Sequence, residues 1–230
     1  MDYSGPWWRD NGAIFVIIKS LEETYSICSL ILEESKKINP MLAEHYAKWN
    51  DDYQTDETMS DFCEITDEMS VLESKLGSSI DTAILMCCIS LESSVNMFCY
   101  FNIGEETTDA IETLNMVKKM EVAHRVLRER PFRGTKPYEA INDLVGFRNL
   151  YAHGKCTDRP KDKIRKNHLT HPDSFPEPGD KLIDLIKYVE EYLLVNKHLS
   201  SISKHQYTRG VLSQHIEIHD LMEKLKSIRL

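Results

Sequence analysis

The chain has 230 residues, 41% of them apolar and 28% charged, which is enough for one domain with a substantial core. Only 9 Gly and 8 Pro occur, excluding collagen-like and low-complexity chains. A net charge of −9 excludes a protein that attracts nucleic acid by bulk positive charge.

The charge is unevenly spread. Residues 1–117 carry 6 basic and 22 acidic side chains, residues 118–166 carry 14 and 6, and residues 167–230 carry 8 and 9. A block of net +8 therefore lies inside an acidic protein. Six cysteines occur, at 28, 63, 87, 88, 99 and 156, with no CxxC pair. This spacing predicts reduced thiols, no disulfide framework and no zinc site. The opening MDYSGPWWRDNG has no basic segment leading into an apolar core, so a cytoplasmic protein is expected.

In chain order the predicted elements are all helical. Residues 12–38 place Ile14, Ile17, Ile18, Leu21, Tyr25, Cys28 and Leu32 at three- and four-residue steps. Asn39-Pro40 is expected to end that helix, because proline disfavours helical backbone in the residue before it. A short helix follows over 41–50, then a polar link over 50–57. Another helix runs from about 58 to 75, and Gly77-Ser78-Ser79 is expected to break or kink the chain.

The segment 83–101, AILMCCISLESSVNMFCYF, holds one charge in 19 residues. Its central Glu92 and the polar Ser90, Ser93, Ser94 and Asn96 favour a buried helix over a membrane span. Cys87 and Cys88 read as inert core thiols. Asn102-Ile103-Gly104 stops this helix.

Residues 107–130 are expected to form one helix with Ile111, Leu114, Val117, Met120, Val122, Val126 and Leu127 inward. Pro131 to Gly134 is a turn. A helix over 137–153 has Pro137 at an acceptable first-turn position, with Gly154 as its stop. A proline-containing loop covers 155–179, and helices cover 180–198 and 203–228. The fold class is all-α, with no β-period and no internal repeat.

The string Phe147-Arg148-Asn149-Leu150-Tyr151-Ala152-His153-Gly154 carries the chemistry. On a helix Asn149 and His153 share a face. Arg148 falls on the apolar stripe of Ile141, Leu144, Val145 and Ala152. An arginine there needs an anion or a partner, since burying it bare is costly.

This R-x4-H element with Asn after the Arg resembles the HEPN superfamily. The resemblance covers about residues 79–155. It includes the apolar helix 83–96, where Glu92 and Asn96 stand four apart, and Pro131-Phe132 and Pro137-Tyr138 before the motif helix. It implies a HEPN-like helical bundle, a homodimer, and a metal-independent endoribonuclease, commonly a toxin or anti-phage effector. Arg148 and His153 would then be catalytic and Asn149 an orienting residue. Glu92 and Asn96 would stand behind them, holding Arg148. No metal or cofactor is implied.

The chemistry is reasonable from first principles. RNA supplies its own 2′-hydroxyl nucleophile. A histidine can move the protons, and an arginine can stabilise the charge on the phosphate. Lys155, Arg159, Lys161, Lys163, Arg165 and Lys166 follow the motif, and Arg125, Arg128, Arg130 and Arg133 precede it. Together they are expected to attract an RNA backbone. The alternative for this block is a solvated face that balances the acidic half.

Some HEPN toxins are silenced by a partner that modifies a tyrosine two residues after the motif His. That position here is Lys155, so an antitoxin or defence partner would act otherwise. The acidic residues 1–78 read as a helical extension to a bundle over 79–230, or the whole chain as one domain. In that region Trp7-Trp8 reads as a packing anchor or dimer contact.

Two other readings compete with catalysis: a non-catalytic HEPN-like module that binds RNA or protein, and a nucleotide-binding regulator. Tyr138 and Tyr151 are candidates for base stacking or for packing. His215 and His219, and His168 and His171, have metal-like spacing but no third ligand.

Overall fold

The computed structural model of the chain describes residues 10–48, 56–152, 179–205 and 215–228. Seven α-helices occur among the described residues, and no strand. They are α1 (Asp10–Lys48), α2 (Asp56–Ile103), α3 (Glu105–Ala110), α4 (Met116–Leu127), α5 (Lys136–Ala152), α6 (Gly179–Ile202) and α7 (Ile216–Ser227). The all-α class is as the sequence predicted.

Helix α2 is the organising element. It packs against α1 along much of its length, and against α3, α4, α5 and α6. Its buried residues Ile84, Cys87, Cys88, Leu91, Val95 and Phe98 recur at steps of one, three and four. They form a stripe that is almost fully covered. Part of α2, Thr66–Ile103, is long and apolar enough to cross a membrane by length and composition. However, 56% of its most apolar window is buried inside the protein. One core cluster includes Ile17 and Leu21 of α1, Phe98 of α2, Leu144 of α5, Val189 of α6 and Leu225 of α7. Residue 78, where the acidic extension was expected to end, falls inside α2.

Three boundaries differ from expectation. Helix α1 continues through Pro40 to Lys48 rather than ending at Asn39. Pro40 costs one backbone hydrogen bond, but Lys36, whose carbonyl is freed, is exposed, so water can satisfy it. Helix α2 runs through Gly77-Ser78-Ser79 without a break. There the small residues serve close contact between helices. The buried Ser79 hydroxyl donates to the Ser20 carbonyl at 2.8 Å and lies 2.9 Å from Thr24 Oγ1. A Cβ on Gly77 would lie 2.8 Å from Lys181 Nζ.

The helix expected over 107–130 is two. Its first part ends at Ala110, and α4 starts anew because the Asn115 side chain caps it, accepting from the Lys118 N–H at 3.0 Å. At the C-terminal end, residues 203–205 and His215 are not helical, so the helix expected over 203–228 is shorter, as α7.

Other boundaries follow the sequence. Gly104 separates α2 from α3 with φ 90°, a conformation open to glycine. Helix α4 ends with Arg128 in the left-handed region, and Gly134 (φ 80°) turns the chain toward α5. Thr135 caps α5, its hydroxyl oxygen accepting from the Tyr138 N–H at 3.3 Å. Phe132, 2% exposed, anchors the turn in the core.

Candidate functional site

Arg148 sits one turn after the fully buried Leu144, on the side of α5 that faces α2. Its Nη1 donates to Glu92 Oε2 at 2.5 Å, across 56 residues of sequence. The side chains remain 34% and 44% exposed, so the pair is at the rim of the core. One carboxylate oxygen occupies part of a five-donor guanidinium, leaving further donors for an anion.

Asn96, one turn beyond Glu92, does something else. Its Oδ1 accepts from Lys119 Nζ of α4 at 2.7 Å. Glu92 and Asn96 share one face of α2, but the first holds the α5 arginine and the second the α4 lysine. Asn149 is exposed.

His153 and the basic residues Lys155, Arg159, Lys161, Lys163, Arg165 and Lys166 lie outside the described residues. So do His168, His171 and Trp7-Trp8, while the Tyr151 side chain is not described. The upstream arginines are elsewhere in space. Arg125, Arg128 and Arg130 are exposed at the far end of α4, and Arg133 Nε lies 3.4 Å from Glu121 Oε1. That end joins the start of α5, about 18 Å from Arg148 at 1.5 Å per residue. With Glu121, His124, Glu129, Pro131 and Phe132, Arg125 and Arg133 line an open pocket of about 470 Å³.

The neighbourhood of Arg148 contains a buried thiol and an acid–base cluster. Cys88 Sγ donates to the Leu144 carbonyl at 3.2 Å. Burial pushes its thiol up to about 12, against the opposing pull of the Arg148 guanidinium. Burial likewise raises Cys28 to about 11, Cys99 to about 12, and Cys87 well above its ordinary value. These four are therefore protonated, poor nucleophiles at neutral pH.

On α6, Glu191 influences the same thiol. Lys187 Nζ lies 3.0 Å from Asp143 Oδ2 and 3.6 Å from Glu191 Oε1. Burial pushes the Glu191 carboxyl up to about 7. Lys187 opposes that shift and the Asp143 carboxylate adds to it.

A second pair joins α4 and α6. His124 Nδ1 lies 2.9 Å from the Arg130 carbonyl, and its Nε2 lies 3.0 Å from His198 Nε2. A carbonyl only accepts, so His124 carries its proton on Nδ1 and His198 donates between the rings. Burial, then His124, lowers the His198 pKa. Tyr138 packs edge-on to Phe132 at 5.7 Å, the packing role of its two readings.

His215 precedes α7 with non-helical backbone and is buried, whereas His219 is exposed. The two rings therefore do not share the helix face their spacing suggested. Among the described residues, no group of three or more His, Cys, Asp or Glu is placed to hold a metal ion.

Sequence reasoning missed Lys119, Glu191 and the His124–His198 pair. Lys119 left a trace: it stands three residues after Met116 and four before Ala123, both buried, so it lies on the inward stripe of α4. The other partners are joined by tertiary packing. No family model, no curated protein and no solved structure matches this chain.

Proposed function

We propose that the chain is a metal-independent endoribonuclease of HEPN type, a cytoplasmic homodimer serving as a toxin or anti-phage effector. The observation that carries this reading is the Arg148–Glu92 pair. It holds a guanidinium, about one-third exposed, in the last turns of α5, from which the sequence continues directly to His153. Asn149 is exposed beside it.

In this reading a 2′-hydroxyl of RNA attacks the adjacent phosphorus and the 5′-oxygen leaves. Products end in a cyclic phosphate and a 5′-hydroxyl. His153 moves a proton in this exchange, and Arg148 stabilises the charge developing on the non-bridging oxygens. Asn149 orients the histidine or the phosphate. The lysines and arginines of residues 155–166 hold the strand through its backbone. An antitoxin or other defence partner would control the activity.

The test is incubation of purified protein with total RNA in EDTA, beside an Arg148→Ala/His153→Ala variant. Cleavage by the parent alone, with cyclic-phosphate ends, is expected. Equal cleavage by the double variant would refute the assignment.

A second reading has one observation in its favour. Arg148 already has a carboxylate partner, as a purely structural arginine would. A non-catalytic module that binds RNA or protein would keep its binding in His153→Ala and cut nothing.

A further inference from the structure

Lys119 is a charged side chain that is only 7% exposed. Its ammonium has one hydrogen-bond partner among the described residues, the neutral Asn96 Oδ1 at 2.7 Å, and no carboxylate within ion-pair distance. Buried cations are ordinarily paired with an anion, because the loss of hydration otherwise goes uncompensated. The pairing at Glu92, one turn away, makes the contrast local.

Two further features give this place the character of an oxyanion site. An ammonium can only donate, so Asn96 must turn its carbonyl oxygen to Lys119 and keep its NH2 group as a donor. No protein acceptor for that group occurs among the described residues. Lys119 also lies one turn into α4, and helix side chains lean toward the N-terminus. The first turn of α4 holds no acidic residue, so its partial positive charge is not offset there.

We propose that Lys119 and Asn96 form an oxyanion subsite that takes a phosphate group adjacent to the one held at Arg148. This inference rests on the ribonuclease reading for its neighbour but not for its chemistry. Glu92 and Asn96 stand about 6 Å apart along α2, four residues at 1.5 Å each. They therefore set the α5 guanidinium and the α4 ammonium along one line. A strand lying on that line would place one phosphate at Arg148 and a neighbouring one at Lys119. The same donors would accept free inorganic phosphate.

The experiment uses the full chain with His153→Ala, so that RNA is bound without being cut. Affinity for a short single-stranded RNA is measured against salt, with Lys119→Met and Asn96→Asp added singly. Asn96→Asp gives the ammonium an internal carboxylate that competes with the ligand, and it covers the case in which Lys119→Met fails to fold. Each change is expected to weaken binding about tenfold. Each should also reduce the slope of log K against log salt by about 0.7, the loss of one phosphate contact on a single strand.

Unchanged affinity and slope in both variants would overturn the subsite while leaving RNA binding intact. In a second arm, inorganic phosphate is titrated against the melting temperature. If the parent binds no RNA yet is stabilised by phosphate, and Lys119→Met abolishes that shift, the subsite stands and the ribonuclease reading falls. A parent that responds to neither RNA nor phosphate overturns the subsite.

Discussion

Two cations meet the same face of α2 four residues apart, and they are treated differently. Arg148 comes from α5, remains about one-third exposed and reaches the carboxylate of Glu92. Lys119 comes from α4, is almost fully covered and, among the described residues, reaches only the amide oxygen of Asn96. The more exposed cation, which needs compensation less, has it. With the subsite proposed above, the difference means that charge pairing here is not arranged for stability alone. A guanidinium tied at the rim is held in place with donors to spare, and in the proposed subsite an ammonium paired only with an amide is open to an anion.

The largest expected effect concerns the division of labour between the two. Arg148→Ala should lower RNA cleavage by about 10²-fold or more, the scale of losing a group that stabilises transition-state charge. Lys119→Met should change affinity with little effect on the rate at saturating RNA. Single-turnover rates measured against RNA concentration separate these outcomes. Equal losses of rate in both variants would erase the distinction.

Next comes stability. Asn96→Asp should raise it by about 1 kcal/mol, because a charge-assisted hydrogen bond replaces a neutral acceptor at a buried cation. In a domain of this size that is about 2–4 °C in melting temperature. Glu92→Gln, at the exposed pair, should cost less than about 1 kcal/mol, since screened ion pairs contribute little. If Glu92→Gln proved the more consequential of the two changes, the burial contrast would be the wrong explanation.

A separate effect is a dependence on pH at the neighbouring cluster. Glu191 has its carboxyl raised to about 7, chiefly by burial, so the folded state holds its proton more tightly than the unfolded chain. Its contribution to stability is therefore complete below the ordinary carboxylate range and is lost as pH rises to about 7 and beyond. His198, with its pKa lowered by burial, works in the opposite direction. Its contribution is present above the ordinary histidine value and is lost as pH falls through the lowered one. Denaturant melts of the parent and of Glu191→Gln between pH 4 and pH 8 should show the decline in the parent flattened in the variant. A parallel decline in both would place the effect on another group.

Much of the fold was legible because its signals are local. Gly104 and Gly134 stand where positive φ is needed, and the proline the sequence marked, Pro137, lies in the first turn of α5. The stripe of Ile84, Cys87, Cys88, Leu91, Val95 and Phe98 reads directly as a buried helix face. Pro40 and Gly77-Ser78-Ser79 were misread for a common reason. A helix-breaking residue imposes only a local cost, and long helices packed against one another can outweigh it. At Ser79 the small side chain also makes a contact between α1 and α2, its hydroxyl donating to the Ser20 carbonyl.

The site divides along the same line. Sequence by itself determined the all-helical class, the apolar central helix, and an arginine on the inward stripe of α5 that must find an anion. Periodicity and the cost of burying charge require no knowledge of the partner. Only the tertiary structure decided which anion that is, bringing Glu92 to Arg148 across 56 residues. It also decided that Asn96 belongs to Lys119, and that the arginines preceding the motif lie at the other end of α4. Partner choice depends on which helices cross and at what register. That register is set by packing over the whole core, so no single segment encodes it.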